Sequence, residues 1–424
     1  MSDYFSATEM KKQERVISSL LGKDILEDES MRRLRGVSFL GILNIAAGVP
    51  ESLRFSRYDH SISVAYLTWN YCQNLKLPED ISLTATLLAL IHDISHPPFS
   101  HSSEIYLQIR SGVQTQHTSA LTESKIAKFL IQSYKSFHSL PGPLQKEGLN
   151  GLIIRLKNLL IREERIKYHP YLTDILDAPF CPDTFDGINR AWYALNREEV
   201  KLQLGSRDVT FFEALDPIAL NRFISTTTDR PFVYKSATPP SESNLIFKFH
   251  TLMKTLYNDI IYSNWQSSAM VMFTRALEIA YAKIRRFNFS QKNDVAVISK
   301  IRKDPISAKL YNQIIGGEKF LALSEQNSKL HKITLDIYEE KKNLHKSDLE
   351  IKNVIEEKVA RKLGLDTRFV FCHIYKPLRW SFENIWFKEI QNQPERLWLL
   401  KWDPSEGEQD VKSKIEVYYT RSFV

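Results

Sequence analysis

Apolar residues recur at three- and four-residue intervals over much of the first half of the chain. Ile62, Ala65, Tyr66, Trp69 and Cys72 keep this spacing and predict one amphipathic helix. The run ISLTATLLALI at 81–91 is apolar nearly all round, which predicts a helix buried at the centre of a bundle. Pro97 and Pro98 must end it, because proline has no N–H to give and collides with the preceding turn. A further helix is expected over 118–137, before the break at Leu140-Pro141-Gly142-Pro143. Helical spacing continues through 151–200, lapses over 205–243 and returns over 244–283. The lapse holds short β-type runs at 209–212 and 232–234 and a loop, ATPPSES, at 237–243. Beyond it, 326–363 reads as one long charged helix, and apolar runs at 369–374 and 415–419 suit strands. No internal repeat is visible. The expected fold is mainly α: an N-terminal segment at 1–30, a large helical domain at 31–283 and a smaller α+β region at 284–424.

Composition narrows the chemistry. The chain is 43% hydrophobic and 25% charged, which argues against disorder or a fibrous class. Glycine is scarce, 14 in 424 residues, about half the ordinary usage of ~7%. Neither the G-x-x-x-x-G-K-[ST] nor the G-x-G-x-x-G phosphate grip occurs. A net charge of +7 over this length is a mild bias, so nucleic acid is only weakly supported as a partner. The basic clusters Lys283-Arg285-Arg286 and Lys300-Arg302-Lys303 suit solvated helix faces better than a phosphorylated ligand. Cys72, Cys181 and Cys372 lie too far apart for a C-x-x-C pair. With an N-terminal stretch lacking an apolar core, they lead us to expect a cytoplasmic protein. No run approaches the ~18 apolar residues of a membrane span, so no membrane partner is expected.

The histidines change the picture most. His60, His92, His96, His101 and His117, five of eleven, fall in one stretch. LLALIHDISHPPFSH carries three of them, with Asp93 beside His92. Imidazole and carboxylate hold Zn²⁺, Fe²⁺ or Mn²⁺ while leaving positions open for water and substrate. His92 and Asp93 close the apolar helix, and His96 stands one turn beyond His92 on the same helical face. A lone buried histidine is usually a core residue with one hydrogen bond. Several together at the end of an apolar helix call for a compensating ion or anion. A metal site and a phosphate site both satisfy that demand.

RYDHS (57–61), IHDISHPPFSH (91–101) and PDTFD (182–186) resemble the H…HD…D signature of HD-domain metal-dependent phosphohydrolases. The likeness is greatest to the dNTP triphosphohydrolase branch, the bacterial dGTPases and the SAM-and-HD-domain dNTPase. That branch carries H-D-x-x-H-x-P-F-S-H, matched here from His92 to His101. MRRLRGVSFLG (31–41), ALNRFI (219–224) and NLIFKFHT (244–251) resemble other segments of it. The resemblance implies an HD-domain helical bundle with His60, His92, Asp93 and Asp183 as ligands of a divalent metal, the ion being Mn, Fe, Zn or Mg. Asp186 is then a supporting acid or a helix-terminal charge. His96, His101 and His117 line the phosphate path as catalytic groups, with Glu104 orienting a histidine. Arg57, Thr184, Tyr257 and Tyr262 fall on the nucleotide side, and Mg²⁺ accompanying the nucleotide suits such a site. Tyr257 and Tyr262, together with His250, read equally well as packed helix residues.

The grip on the nucleotide departs from the branch. Phe39 stands for a glutamine that meets the deoxyribose, and Thr184 for a lysine that touches phosphate. Gly187 and Ala191 replace a tyrosine and an aspartate beside the sugar, and Leu252 replaces an arginine. Gly187 is expected to leave open space where relatives carry a ring. The implied function is hydrolysis of a deoxynucleoside triphosphate to deoxynucleoside and tripolyphosphate. The alternatives are another nucleotide, either a monophosphate or a signalling nucleotide, or a non-catalytic module that senses nucleotide or nucleic acid. Relatives assemble as homo-oligomers and some serve antiviral defence, and the resemblance extends both expectations to this chain.

Overall fold

A computed structural model describes residues 5–111, 123–134, 140–159, 164, 172, 181–196, 201–204, 207–210, 222–223, 232–236, 249, 251–253, 255–261, 263–282, 291–318, 321–344, 347–375, 385–389, 397–400 and 414–419. The principal helices are α1 (Ala7–Leu21), α2 (Arg57–Asn74), α3 (Glu79–Ile91), α4 (His101–Ser111), α5 (Glu123–Ser133), α6 (Gly148–Asn158), α7 (Pro182–Asn196), α8 (Asn264–Tyr281), α9 (Asp294–Ile301), α10 (Pro305–Ile315), α11 (Ser328–Asn343) and α12 (Asp348–Leu363). Helices dominate, and the fold is mainly α as expected.

The helices that matter for the site start and stop where the sequence tells them to. Ser56 and Asp59 form a reciprocal capping box at the head of α2: Asp59 N donates to Ser56 Oγ at 3.1 Å, and Ser56 N donates to Asp59 Oδ2 at 2.8 Å. Arg57 and His60 therefore lie in a fixed first turn, on one face at i, i+3. Residues Ile81 to Ile91 of α3 are all buried. The short link between α2 and α3 lays them side by side. Helix α3 ends at Ile91, with His92 as its cap. His96 is thus not on the helical face of His92: tight turns, Ile94 N to Ile91 O at 3.1 Å and His96 N to Asp93 O at 3.0 Å, replace the helix. The prolines that follow prevent its continuation.

Two hydrophobic clusters meet around this point. One contains Ile17, Ile62, Leu87, Ile91 and Phe129, from α1, α2, α3 and α5, with Leu34 from the segment before α2. The other contains Phe39, Phe99, Phe185, Phe273, Val297 and Leu310, and gathers α7, α8, α9 and α10. Helix α2 serves both, through Ile62 on one side and Leu67 on the other. Gly41 lets the 38–42 segment touch the head of α4. Its φ is +59°, and a Cβ there would stand 2.2 Å from Phe99 O. Phe99 and Ser100 themselves have φ of 57° and 49°, a left-handed backbone that costs about 1–2 kcal/mol per non-glycine residue.

Three expectations are corrected. The single charged helix at 326–363 is two, α11 and α12, which pack on each other. The signal was present, because Ser347 and Glu350 form a second capping box that starts α12. The helix expected over 244–283 is interrupted by a π-helix at Thr255–Ile261 and restarts after Ser263, whose hydroxyl accepts from Gln266 N. Strands also exceed the expectation. Beside β2 (Arg207–Thr210), β4 (Phe232–Ser236), β6 (Val370–Tyr375) and β9 (Lys414–Tyr419) stand β1 (Lys201–Leu204), β3 (Arg222–Phe223), β5 (Leu321–Ala322), β7 (Ile385–Glu389) and β8 (Leu397–Leu400). They form a β1-β2 hairpin, a β3-β4-β7-β8 sheet with β4 parallel to β7, and a β5-β9-β6 sheet. Of the helix expected over 118–137, the described part is α5, and residues 118–122 and 135–137 lie outside the described residues. The loop at 237–243 and the basic cluster at 283–286 lie outside the described residues. Arg302 and Lys303 are exposed, in keeping with a solvated face. Among the described residues no helix is long and apolar enough to cross a membrane, and the three cysteines are buried and not joined in disulfides.

The α+β region is fastened to α8 by a buried ionic cluster. Arg275 reaches Glu278 at 2.8 Å and Glu356 at 2.7 Å, and donates to Val370 O at 2.9 Å. Glu356 also takes Lys352 at 2.9 Å and accepts from Cys372 N at 2.9 Å. Two variants test these packing arguments. Gly41→Ala should destabilise the protein by about 2–4 kcal/mol, from added strain and overpacking. Glu356→Ala should cost about 3–5 kcal/mol, because it strands two cations and an N–H. Urea unfolding reads both, and a change within ~0.5 kcal/mol for either, the ordinary surface range, would refute its argument.

Candidate metal centre

The first turn of α2, the end of α3 and the first turn of α7 converge on one point. His60, His92 and Asp93 place one ligand-type atom each within 4.8 Å of one another, a group that could hold a metal ion. His60 Nε2 lies 3.7 Å from Asp93 Oδ2, and His92 Nε2 lies 3.3 Å from Asp93 Oδ1. From α7, Asp183 brings Oδ1 to 3.0 Å from His60 Nε2 and 3.6 Å from His92 Nε2. Atoms bound to one ion at ~2.1 Å stand about 3.0 Å apart at right angles and about 3.4 Å apart in a tetrahedron. The observed separations, 3.0–3.7 Å, span that range and run slightly past it, so His60, His92 and Asp93 could hold a small divalent ion, with Asp183 beside them.

The outer nitrogens of both rings are anchored, which leaves Nε2 directed inward. His92 Nδ1 donates to Ala89 O at 2.6 Å, and its Nε2 is buried with no hydrogen bond. His60 Nδ1 meets Asp186 Oδ2 at 2.6 Å. A second partner of this kind fixes ring orientation and tautomer in metal sites. Arg190 Nε donates to the same oxygen at 2.5 Å, and Arg190 Nη2 donates to Ser63 Oγ at 2.6 Å and Asp59 O at 3.1 Å. Ser63 in turn donates to Gln13 Oε1 of α1 at 2.6 Å. Arg190, Ser63 and Gln13 escaped the sequence reading. Only the i, i+4 spacing of Asp186 and Arg190 signalled any of this.

Asp93 is the most heavily compensated group. Arg57 Nη1 donates to its Oδ2 at 2.8 Å, and His96 Nε2 lies 3.2 Å from its Oδ1. Burial opposes its ionisation, but the charges of His92, Arg57 and His96 outweigh this and hold it well below the usual carboxylate range. Asp183, half-exposed at the rim, is also held well below that range: desolvation opposes, and the bond to His60 and the nearby His92 ring prevail. Burial pulls the His92 ring down, but Asp93 and then Asp183 push it up to about 9. His60 is raised as well, burial being overcome by Asp183 and Asp186. A field that favours a proton on both rings favours a metal cation in its stead, the two competing for the same nitrogens.

The other sequence-predicted residues divide. His96, His101 and Glu104 form a second group beside the first. His101 Nδ1 sits 2.8 Å from Glu104 Oε2, and the His96 and His101 rings are edge-on with centroids 5.0 Å apart. His101 is 61% exposed, so it reaches solvent, whereas His96 is buried. Arg57 is buried. Besides Asp93, it donates to Ser100 Oγ at 2.8 Å and Phe39 O at 3.4 Å. Thr184 Oγ1 lies 3.4 Å from Cys181 Sγ. Tyr257, on the π-helix, and Leu252 pack half-buried against the cluster of Phe185 and Phe273. His117, Tyr262 and His250 lie outside the described residues. Open space beside Gly187 is not found. A Cβ there would meet Phe39 Cζ at 3.7 Å and His60 Cε1 at 3.9 Å, and the Phe39 ring covers His60 at 4.8 Å.

Residues 57–146 match the HD domain family. An uncharacterised protein of Methanocaldococcus jannaschii is 34% identical over 82 residues, 19% of this chain and 17% of that protein. The SAMHD1 homolog of Dictyostelium discoideum, a deoxynucleoside triphosphate triphosphohydrolase, is 25% identical over 187 residues, 42% of this chain and 34% of that protein. The chain thus spans about a third or less of the curated relatives it matches. Two crystal structures share the fold. A hypothetical protein from Aquifex aeolicus has a TM-score of 0.58 at 18% identity, with 93% of this chain and 91% of that one covered. A phosphohydrolase from Bacteroides thetaiotaomicron has a TM-score of 0.59 at 14% identity, with 94% and 95% covered. The segment that carries the histidine–aspartate pair is thus similar to the HD domain family.

Proposed function

We propose that the protein is a metal-dependent phosphohydrolase acting on a nucleotide, and that its substrate is a deoxynucleoside triphosphate, cleaved to deoxynucleoside and tripolyphosphate. One observation carries the reading: inward-facing nitrogens of His60 and His92 meet Asp93 and Asp183, with a solvent-reaching His101–Glu104 pair alongside. The triphosphate reading is supported by the likeness to the Dictyostelium protein. His60, His92, Asp93 and Asp183 would hold a divalent ion, which when bound polarises a phosphoryl oxygen and acidifies water. His101, oriented by Glu104, is suited to protonate the leaving oxygen, and His117 is its partner in this reading. His96, against Asp93 and edge-on to His101, is the third histidine of the acid–base group in this reading. Arg57, Thr184, Tyr257 and Tyr262 are proposed for the nucleotide side, which requires Arg57 to leave Asp93 in part.

A second reading, a different nucleotide ester, is favoured by one feature. Phe39 lies over His60 and against Gly187, so an apolar ring occupies a place that in the dNTP triphosphohydrolase branch offers polar groups to the sugar. A site without such groups discriminates poorly between sugars. A panel of dNTPs, NTPs, dNMPs and signalling nucleotides, with products identified, separates the readings. A strong preference for dNTPs with tripolyphosphate as product supports the first, and monophosphate or signalling-nucleotide turnover supports the second.

Metal analysis tests the centre itself. Asp93→Ala should abolish both bound metal and turnover, and full metal content in that variant would remove Asp93 from the ligand set. His101→Ala should keep the metal and slow hydrolysis by on the order of 10²–10⁴-fold, the scale of a lost acid–base group. Unchanged turnover would leave His101 without a catalytic role.

A further inference from the structure

We propose that Asp294 and Arg33 are positioning residues for the acid–base histidines, acting through the backbone of residues 94–99; the proposal rests on the phosphohydrolase reading above. Both lie outside the 57–146 segment that matches the HD domain. Asp294 opens α9, yet its carboxylate does not cap that helix. Asn293 does so, accepting from Ala296 N at 3.1 Å. Asp294 instead faces outward: Oδ1 accepts from Phe99 N at 2.7 Å, and Oδ2 accepts from Ser38 N at 3.0 Å and from the Ser38 hydroxyl. Its own N–H donates to Gly36 O at 2.9 Å, locking α9 to the 33–41 segment.

Arg33 grips the same loop from the other end. Nη2 donates to Ile94 O at 2.8 Å, and Nη1 donates to His96 O at 2.9 Å and to Lys292 O at 3.0 Å, two residues before Asp294. Between these two grips run His96, the proline pair and the left-handed Phe99 and Ser100. Two consecutive left-handed residues other than glycine persist only where surrounding bonds impose them. Asp294 imposes Phe99, and Ser100 Oγ donates to Ser38 O at 2.6 Å, while Ser38 is itself bound to Asp294. The turn at 99–100 then launches α4 with His101 as its first residue, edge-on to His96. The carboxylate and the guanidinium thus set where two imidazoles stand without touching either ring.

The test separates positioning of the proton donor from general damage. Asp294→Asn keeps size but places an NH₂ against a backbone N–H, and Arg33→Lys keeps charge but cannot reach three carbonyls. With Mn²⁺ supplied, each variant is compared with the parent on the best nucleotide of the panel and on bis(p-nitrophenyl) phosphate. The nitrophenolate leaves without protonation. We expect unchanged metal content and KM, kcat on the nucleotide lower by on the order of 10–10²-fold, the scale of a misplaced catalytic group, and a far smaller loss on the aryl ester. Equal losses on both substrates, loss of metal, or unchanged kcat would overturn the proposal and leave the phosphohydrolase reading intact. If the parent turns over neither substrate, that reading fails and the positioning role falls with it. Should Asp294→Asn fail to fold, Arg33→Lys carries the same comparison.

Discussion

A carboxylate sealed between two hydrophobic clusters sets the terms for the architecture around it. Burying an ionised Asp93 without compensation would cost several kcal/mol, so cationic or hydrogen-bonding groups have to reach it from more than one element. Arg57 arrives from the head of α2, and His92 and His96 arrive from either side along its own turn. Each of these groups has a further attachment. Arg57 continues to Ser100 and Phe39, and His92 to Ala89. The charge on Asp93 therefore draws together α2, the end of α3, the 38–42 segment and the start of α4. The polar centre exists because its members satisfy one another.

Helical spacing does much of the remaining work. Asp183 and Asp186 are one turn apart on α7 and flank the two nitrogens of a single ring, one at Nε2 and the other at Nδ1 of His60. Arg190, one turn further on, fixes Asp186. Arg57 and His60 use the same three-residue interval on α2, and Asp59 between them caps the helix that holds both. A short stretch such as RYDHS thus contains a helix start and two site residues at once. Its letters cannot be exchanged independently.

This density explains what was legible in the sequence. The apolar run at 81–91, the proline stop and the histidine cluster are local signals, and each follows from chemistry within a few residues. The break between α11 and α12 was equally local, but the Ser347–Glu350 box is outweighed in a periodicity reading by uninterrupted charged residues on either side. The Arg33–Asp294 grip was not legible, because its partners are backbone atoms of residues far away in sequence and leave no pattern in side-chain type. Phe39 and Gly187 illustrate a third case. Each looks like a loss when aligned alone, and only packing shows that the ring of one fills the place beside the other.

The parallel pairing of β4 with β7 has a consequence for how the chain is made. Strand β4 and its partner β3 leave the ribosome early, whereas β7 follows roughly 150 residues later, on the order of ten seconds at ~5–20 residues per second. For that interval Phe232, Val233 and Tyr234 offer an unpaired strand edge in a short apolar segment, the kind of edge that recruits foreign strands. Newly made protein therefore carries this exposed edge until its last tenth emerges. Truncations that remove β7 extend that exposure indefinitely, even though they lie far along the sequence from every histidine of the centre.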